Sequence, residues 1–163
     1  MTGIPRTVKL CCIAIVAVCI VLSACGADET GPLTSAELEY IAAMRSDISD
    51  AAETWQLLAD VGSTYPASTP DKEQAVNDAA SACDTLTSEW SEKDAPSQRL
   101  NDLGDLWRQG LEHLSAATTA VVSKTDPNDS VANERIVSEL NAANTKLDSA
   151  YDEIGRVEAE AGE

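Results

Sequence analysis

Five of the six prolines in this chain, Pro32, Pro66, Pro70, Pro96 and Pro127, stand between stretches of helical periodicity. A proline in a helix interior lacks the amide hydrogen and clashes with the preceding turn, at a cost of about 3 kcal/mol. The prolines therefore cut the chain into four helices. The first opens at Thr34-Ser35-Ala36-Glu37, which has the form of a capping box. Its seam runs through Leu38, Ile41, Arg45, Ile48, Ala52, Trp55 and Leu58 in steps of three and four. Arg45 interrupts it, with Met44 able to fill the space beside it. The helix ends near Val61-Gly62. The second opens at Thr69-Pro70, a cap residue followed by proline at the first helical position. Its seam is Val76, Ala79, Cys83, Leu86 and Trp90. The third begins around Asp94-Ala95-Pro96 and carries Leu100, Leu103, Trp107, Leu111, Leu114, Ala117 and Val121. The fourth starts at Asp126-Pro127 or Asn128-Asp129 and has the cleanest seam: Ile136, Leu140, Ala143, Leu147, Ala150, Ile154 and Val157.

No segment alternates with period two for long enough to form a strand. Four amphipathic helices joined by short turns bury their seams by packing together. The expected fold is all-α: a single antiparallel four-helix bundle over residues 34–163. Gly104 and Gly110 each cost about 1 kcal/mol against alanine in mid-helix. Their presence predicts close helix approach or a local bend.

The N-terminus has a different composition. Arg6 and Lys9 precede an uncharged apolar run from Leu10 to Leu22. Thirteen residues are too few to span a bilayer core comfortably, which takes about 20. The run ends in small residues, as a cleaved export signal does. The sequence Leu22-Ser23-Ala24-Cys25 resembles the lipobox of bacterial lipoproteins. The resemblance implies that residues 1–24 are a signal peptide, that the chain is cut before Cys25, and that the Cys25 thiol carries diacylglycerol. Two acyl chains hold a protein stably at a membrane, whereas one does so only marginally. Residues 25–33 then form the lipidated N-terminus and a short tether, in which the eight residues 26–33 reach roughly 26–29 Å at most. The expected location is the extracytoplasmic face of the cell membrane. Of the five cysteines, only Cys83 lies beyond Cys25, so the exported part has no internal disulfide. Its apolar register predicts a small buried hydrophobe.

All 28 acidic residues follow Cys25, against nine of the 11 bases. Such a surface repels nucleic acid and anionic headgroups, whose phosphates need clustered Lys and Arg. Lipid on Cys25 is then the expected link to the membrane. The acidity serves solubility or the recruitment of cations or a basic partner.

Candidate chemistry is sparse. His113 is the only histidine, and no carboxylate lies three or four residues from it on its own helix, as a Glu-x-x-His metal site requires. It reads as a rim residue. Cys/His zinc sites are excluded by count. No Gly-x-Ser-x-Gly elbow occurs, and a narrow bundle offers no evident cleft for paired carboxylates. Asp126-Pro-Asn-Asp-Ser130 imitates the opening of a calcium loop, but Val131 and Val137 stand where Gly and a bidentate Glu are needed. Helix capping explains those residues more simply. Trp55, Trp90 and Trp107 fall on seams and predict core packing, with an indole-lined groove as the alternative. Tyr65 lies in the longest connection, away from any seam. It is the candidate for an exposed partner contact.

The expectation is a non-enzymatic lipoprotein with no catalytic residues, cofactor or metal, acting as an accessory factor that engages an envelope protein or the cell wall. The alternative is a lipoprotein that binds a small ligand or cation.

Overall fold

The computed structural model describes residues 31–66 and 69–162. The apolar N-terminal run, the lipobox, Cys25 and the tether as far as residue 30 lie outside the described residues. The packed unit begins at Pro32, and Leu33 already rests against the core. Four helices follow: α1 Ser35–Val61, α2 Pro70–Ser91, α3 Asn101–Val122 and α4 Ser130–Ala161. A single 3-10 turn, Gln98–Leu100, leads into α3. The described residues contain no strand, and no helix among them is long and apolar enough to cross a membrane.

Cross-helix pairs fix the directions. Arg45 meets Glu158 and Trp55 meets Leu140, so α1 and α4 run antiparallel. Trp90 meets Trp107 and Asp84 meets Ser115, so α2 and α3 do too. The fold is the expected all-α four-helix bundle. The seams of α2, α3 and α4 face inward as the periodicity predicts: Val76, Cys83, Leu86 and Trp90 are buried, as are Leu103, Trp107, Leu111, Leu114, Ile136, Leu140, Ile154 and Val157. Burial pushes the Cys83 thiol pKa up, which suits the small hydrophobe expected there.

The α1 helix departs from its predicted seam. Leu38 is 51% exposed, and Arg45 and Ala52 also face outward. The buried positions are instead Glu37, Tyr40, Ile41, Met44, Ala51, Thr54, Leu58 and Val61. The inward face is thus turned by one residue as far as Thr54, and the expected and observed faces meet again at Leu58. Glu37 explains the turn. Its carboxylate closes the capping box, accepting from the Thr34 amide at 2.7 Å. It also accepts from Arg99 through Nε at 2.7 Å and Nη2 at 2.6 Å, and from the Ser97 hydroxyl. Fork-on-carboxylate pairing of this kind is short, charge-assisted and directional. A carboxylate so satisfied can be buried, and Glu37 is only 2% exposed. With Glu37 held inward by its donors, Leu38 lies on the outward side of the first turns.

A second polar clamp closes the other end of α1. Lys124, just past the end of α3, is 4% exposed. Its ammonium donates to the carbonyls of Gly62 and Ser63 at 3.0 and 3.1 Å and to Asn133 Oδ1. Gly62 is the C-cap of α1 and Ser63 follows it, so the cation sits where it complements the helix dipole.

Tyr40, Trp90 and Trp107, near the start of α1, the end of α2 and the start of α3, form an edge-to-face stack with centroids 5.2 and 5.7 Å apart. Each such contact contributes about 0.5–1.5 kcal/mol beyond area burial. The expected close approach appears at both glycines. A Cβ on Gly104 would stand 2.6 Å from the Tyr40 hydroxyl, and one on Gly110 would stand 2.6 Å from Leu147 Cδ2 and 2.9 Å from Leu147 Cγ.

The Arg99 guanidinium holds the Glu37 carboxyl well below its ordinary pKa of 4.5, against a smaller opposing effect of burial. A folded-state pKa below the unfolded one adds stability at pH above the unfolded value, and that stability is lost as pH falls towards the folded value. Unfolding free energy should therefore drop as pH falls below about 4.5, and Glu37→Gln should flatten that part of the profile. Arg99→Met strands a buried carboxylate and should cost about 3 kcal/mol at pH 7. Urea titrations between pH 2.5 and 7 read both effects. Parallel pH profiles for wild type and Glu37→Gln would refute the assignment.

Candidate functional site

Between its two clamps α1 is flanked by open space on both sides. On the α2 side lies a groove of about 620 Å³. Its walls carry Asp47, Asp50 and Glu53 from α1 and Asp78 and Glu89 from α2. Its apolar lining comes from Leu57, Ala79, Ala82 and Leu86. No lysine or arginine lines it. Helical spacing produces this arrangement: Asp47, Asp50 and Glu53 recur every three residues along one face of α1. Two of the carboxylates have structural partners. Asp47 accepts the Trp90 indole N–H at 2.7 Å, and Asp78 accepts from Gln74. Asp50, Glu53 and Glu89 have no hydrogen-bonded or ionic partner among the described residues. Five carboxylates lining one concave, solvent-open strip give it a negative potential. No group of three or more His, Cys, Asp or Glu side chains among the described residues has the geometry to hold a metal ion. The strip thus offers an apolar bed between acidic walls.

On the α4 side the space is divided. Trp55 reaches from α1 and donates its N–H to the Leu140 carbonyl at 2.9 Å. One side of this indole lines a cleft of about 270 Å³ that includes Ile48, Trp107, Leu147 and Tyr151. A smaller cleft of about 190 Å³, between Leu58, Ile136 and Val137, lies beside it. Trp90 and Trp107 are core residues as expected, but Trp55 is half-buried and serves as a partition. The indole-lined groove set beside core packing in the sequence reading is present here.

The other sequence candidates fall as follows. Tyr65 is 8% exposed and joins the hydrophobic core. This corrects its expected exposure: the described residues after α1, 62–66, place the Tyr65 ring against the core. The ground for treating Tyr65 as a partner contact is thereby removed. His113 is a rim residue whose Nδ1 lies 2.8 Å from Glu139 Oε2 on α4. That partner is 26 residues away, beyond any same-helix search. Among the described residues no hydroxyl or thiol hydrogen-bonds its other nitrogen. In the calcium-like segment, Asp126 accepts from the Asn128 amide and Asp129 caps α4 through the Ala132 amide. Capping is the role those residues have here. Lys124, Asp47 and Glu139 went unnoticed in the sequence because their partners come from other helices.

Against protein-family models, curated proteins and solved structures alike, the chain has no match.

Gly110 shapes the α4-side cleft by letting Leu147 pack against α3. Gly110→Ala gains about 1 kcal/mol of helix propensity and loses about 1–3 kcal/mol to overpacking. The expected net effect is a destabilisation of about 1 kcal/mol, read as a lowered urea midpoint at constant slope. A raised midpoint would mean that Leu147 yields freely. Tyr40→Phe removes a buried hydroxyl that has no partner. It should leave stability unchanged or raise it slightly, since an unpaired buried polar group is a cost in the native state.

Proposed function

We propose that this chain is an extracytoplasmic lipoprotein, held at the membrane by lipid on Cys25, that acts without catalysis as an accessory factor for another envelope protein. The groove between α1 and α2 is its docking surface, and the occupant is a basic amphipathic helix of that partner. The supporting observation is the groove's combination of an apolar bed with carboxylates on both walls and no base. A helix that lays apolar residues on Leu57, Ala82 and Leu86 can place lysines or arginines beside Asp50, Glu53 and Glu89. Helix-in-groove recognition takes its affinity from the apolar face, while the charged rims set encounter rate and register. A second copy of this chain is a poor occupant, because both copies carry a large net negative charge, −17 over the full sequence. The same charge repels anionic lipid headgroups, which leaves attachment to Cys25. Anchorage at that residue and an acidic groove together describe a protein that presents a binding face outside the cell.

The groove is tested with an 18-residue amphipathic Leu/Lys helix titrated into the full-length protein in lipid nanodiscs. Asp50→Lys, Glu53→Lys and Glu89→Lys combined should weaken binding at least tenfold and flatten its salt dependence. Asp102→Lys, Glu134→Lys and Asp152→Lys combined make the same change in charge on other faces and should weaken it far less. Equal losses in the two triple variants would show a diffuse charge effect and defeat the groove assignment. For the anchor, Cys25→Ala should abolish palmitate labelling and release the protein from the membrane fraction; undiminished labelling would refute lipidation at Cys25.

A further inference from the structure

We infer that the cleft between α1 and α4 is a binding site for a ring-sized, neutral, apolar molecule carrying one hydrogen-bond acceptor. The three indoles supply the argument. The Trp55 N–H donates to the Leu140 carbonyl, and the Trp90 N–H donates to Asp47. The Trp107 N–H is buried and has no partner. Only one other side-chain polar atom among the described residues shares that condition, the Tyr40 hydroxyl. That hydroxyl is packed against Gly104, and neither residue lines the cleft. Trp107 is fully buried, yet it lines the α4-side cleft. It therefore forms the deep part of the cleft, whereas Tyr151, 62% exposed, stands at its mouth. Buried polar groups in native proteins are nearly always paired, and one left over beside an open cleft points to a ligand atom.

The rest of the cleft narrows the ligand class. Ile48, Trp55 and Leu147 give apolar walls. The volume of about 270 Å³ exceeds the cavity of about 150 Å³ that is known to take a benzene ring. At the rim, Asn144 spends an amide N–H on Asp148, and Gln56 spends one on Asp60. Asp148 adds a carboxylate there, which disfavours an anion. The second amide N–H of Asn144 and of Gln56 and the Tyr151 hydroxyl are exposed to water at the rim; the buried donor left to be matched is the Trp107 N–H. A ketone, ether or phenol oxygen on a single ring meets these conditions, while a hydrocarbon of the same shape leaves the N–H unpaired. This site is separate from the α1–α2 groove and stands or falls independently of it.

The test uses acetophenone as the probe and ethylbenzene as its counterpart without an acceptor. Both are titrated into full-length, indole-15N-labelled protein in lipid nanodiscs. The Trp107 cross-peak is the one missing from the spectrum of Trp107→Phe. Acetophenone should move that peak downfield in a saturable way and bind at least tenfold more tightly than ethylbenzene. Ala52→Leu, at an exposed cleft position, should weaken acetophenone at least tenfold without disturbing the fold. Ala59→Leu, in the neighbouring smaller cleft, should leave affinity unchanged. Absence of saturable binding, equal affinity for the two probes, or indifference to Ala52→Leu would each overturn the assignment.

Discussion

Glu37 is an anion inside an acidic protein, and its burial governs how α1 lies on the rest of the bundle. The carboxylate receives the Thr34 amide, the Arg99 fork and the Ser97 hydroxyl. Those donors come from the start of α1 and from the segment that leads into α3. The contact therefore joins two parts of the chain 62 residues apart, and it fixes the rotation of α1 about its own axis. Lys124 does the corresponding work at the far end, where an ammonium rather than a carboxylate binds the carbonyls of Gly62 and Ser63. The two clamps use opposite charges at opposite helix ends, each with the sign that the helix dipole favours.

A helix fixed at its ends need not be packed tightly along its flanks. Between the clamps α1 contributes Tyr40, Met44, Ala51 and Leu58 to the core, while open space remains on both sides. On one side the space is acidic and long, suited to a basic helix. On the other it is aromatic and compact, partitioned by the Trp55 indole. The α2, α3 and α4 seams are conventional by comparison and serve as the frame. The features proposed as functional thus border the one helix whose position is set by polar contacts rather than by a continuous apolar seam.

This division also explains what the sequence could show. The starts of α1, α2 and α4 were legible because proline placement and capping residues are local signals, whereas α3 begins at Asn101, after a 3-10 turn, and not at Asp94-Ala95-Pro96. Three of the four seams were legible because apolar periodicity alone sets their inward face. The α1 seam was not, because a rule based on apolar residues cannot place Glu37 inside. It assigned Leu38 in its place. Trp55 was legible as a seam residue, but its partition role depends on the Leu140 carbonyl 85 residues away. The acidic residues of the groove were visible as composition, yet their convergence requires knowing that α1 and α2 lie side by side. Tyr65 was misplaced for a related reason: loop position says nothing about whether the side chain packs against the core.

Hydrogen exchange resolved along the chain tests the clamped-helix account most directly. The account predicts that in Arg99→Met the amides throughout α1 exchange faster together, by a common factor, while those at the centres of α3 and α4 change much less. Cooperative loosening of α1 alone is the signature of a helix held by its ends. A uniform acceleration across all four helices, or a change confined to the first turn of α1, would contradict it.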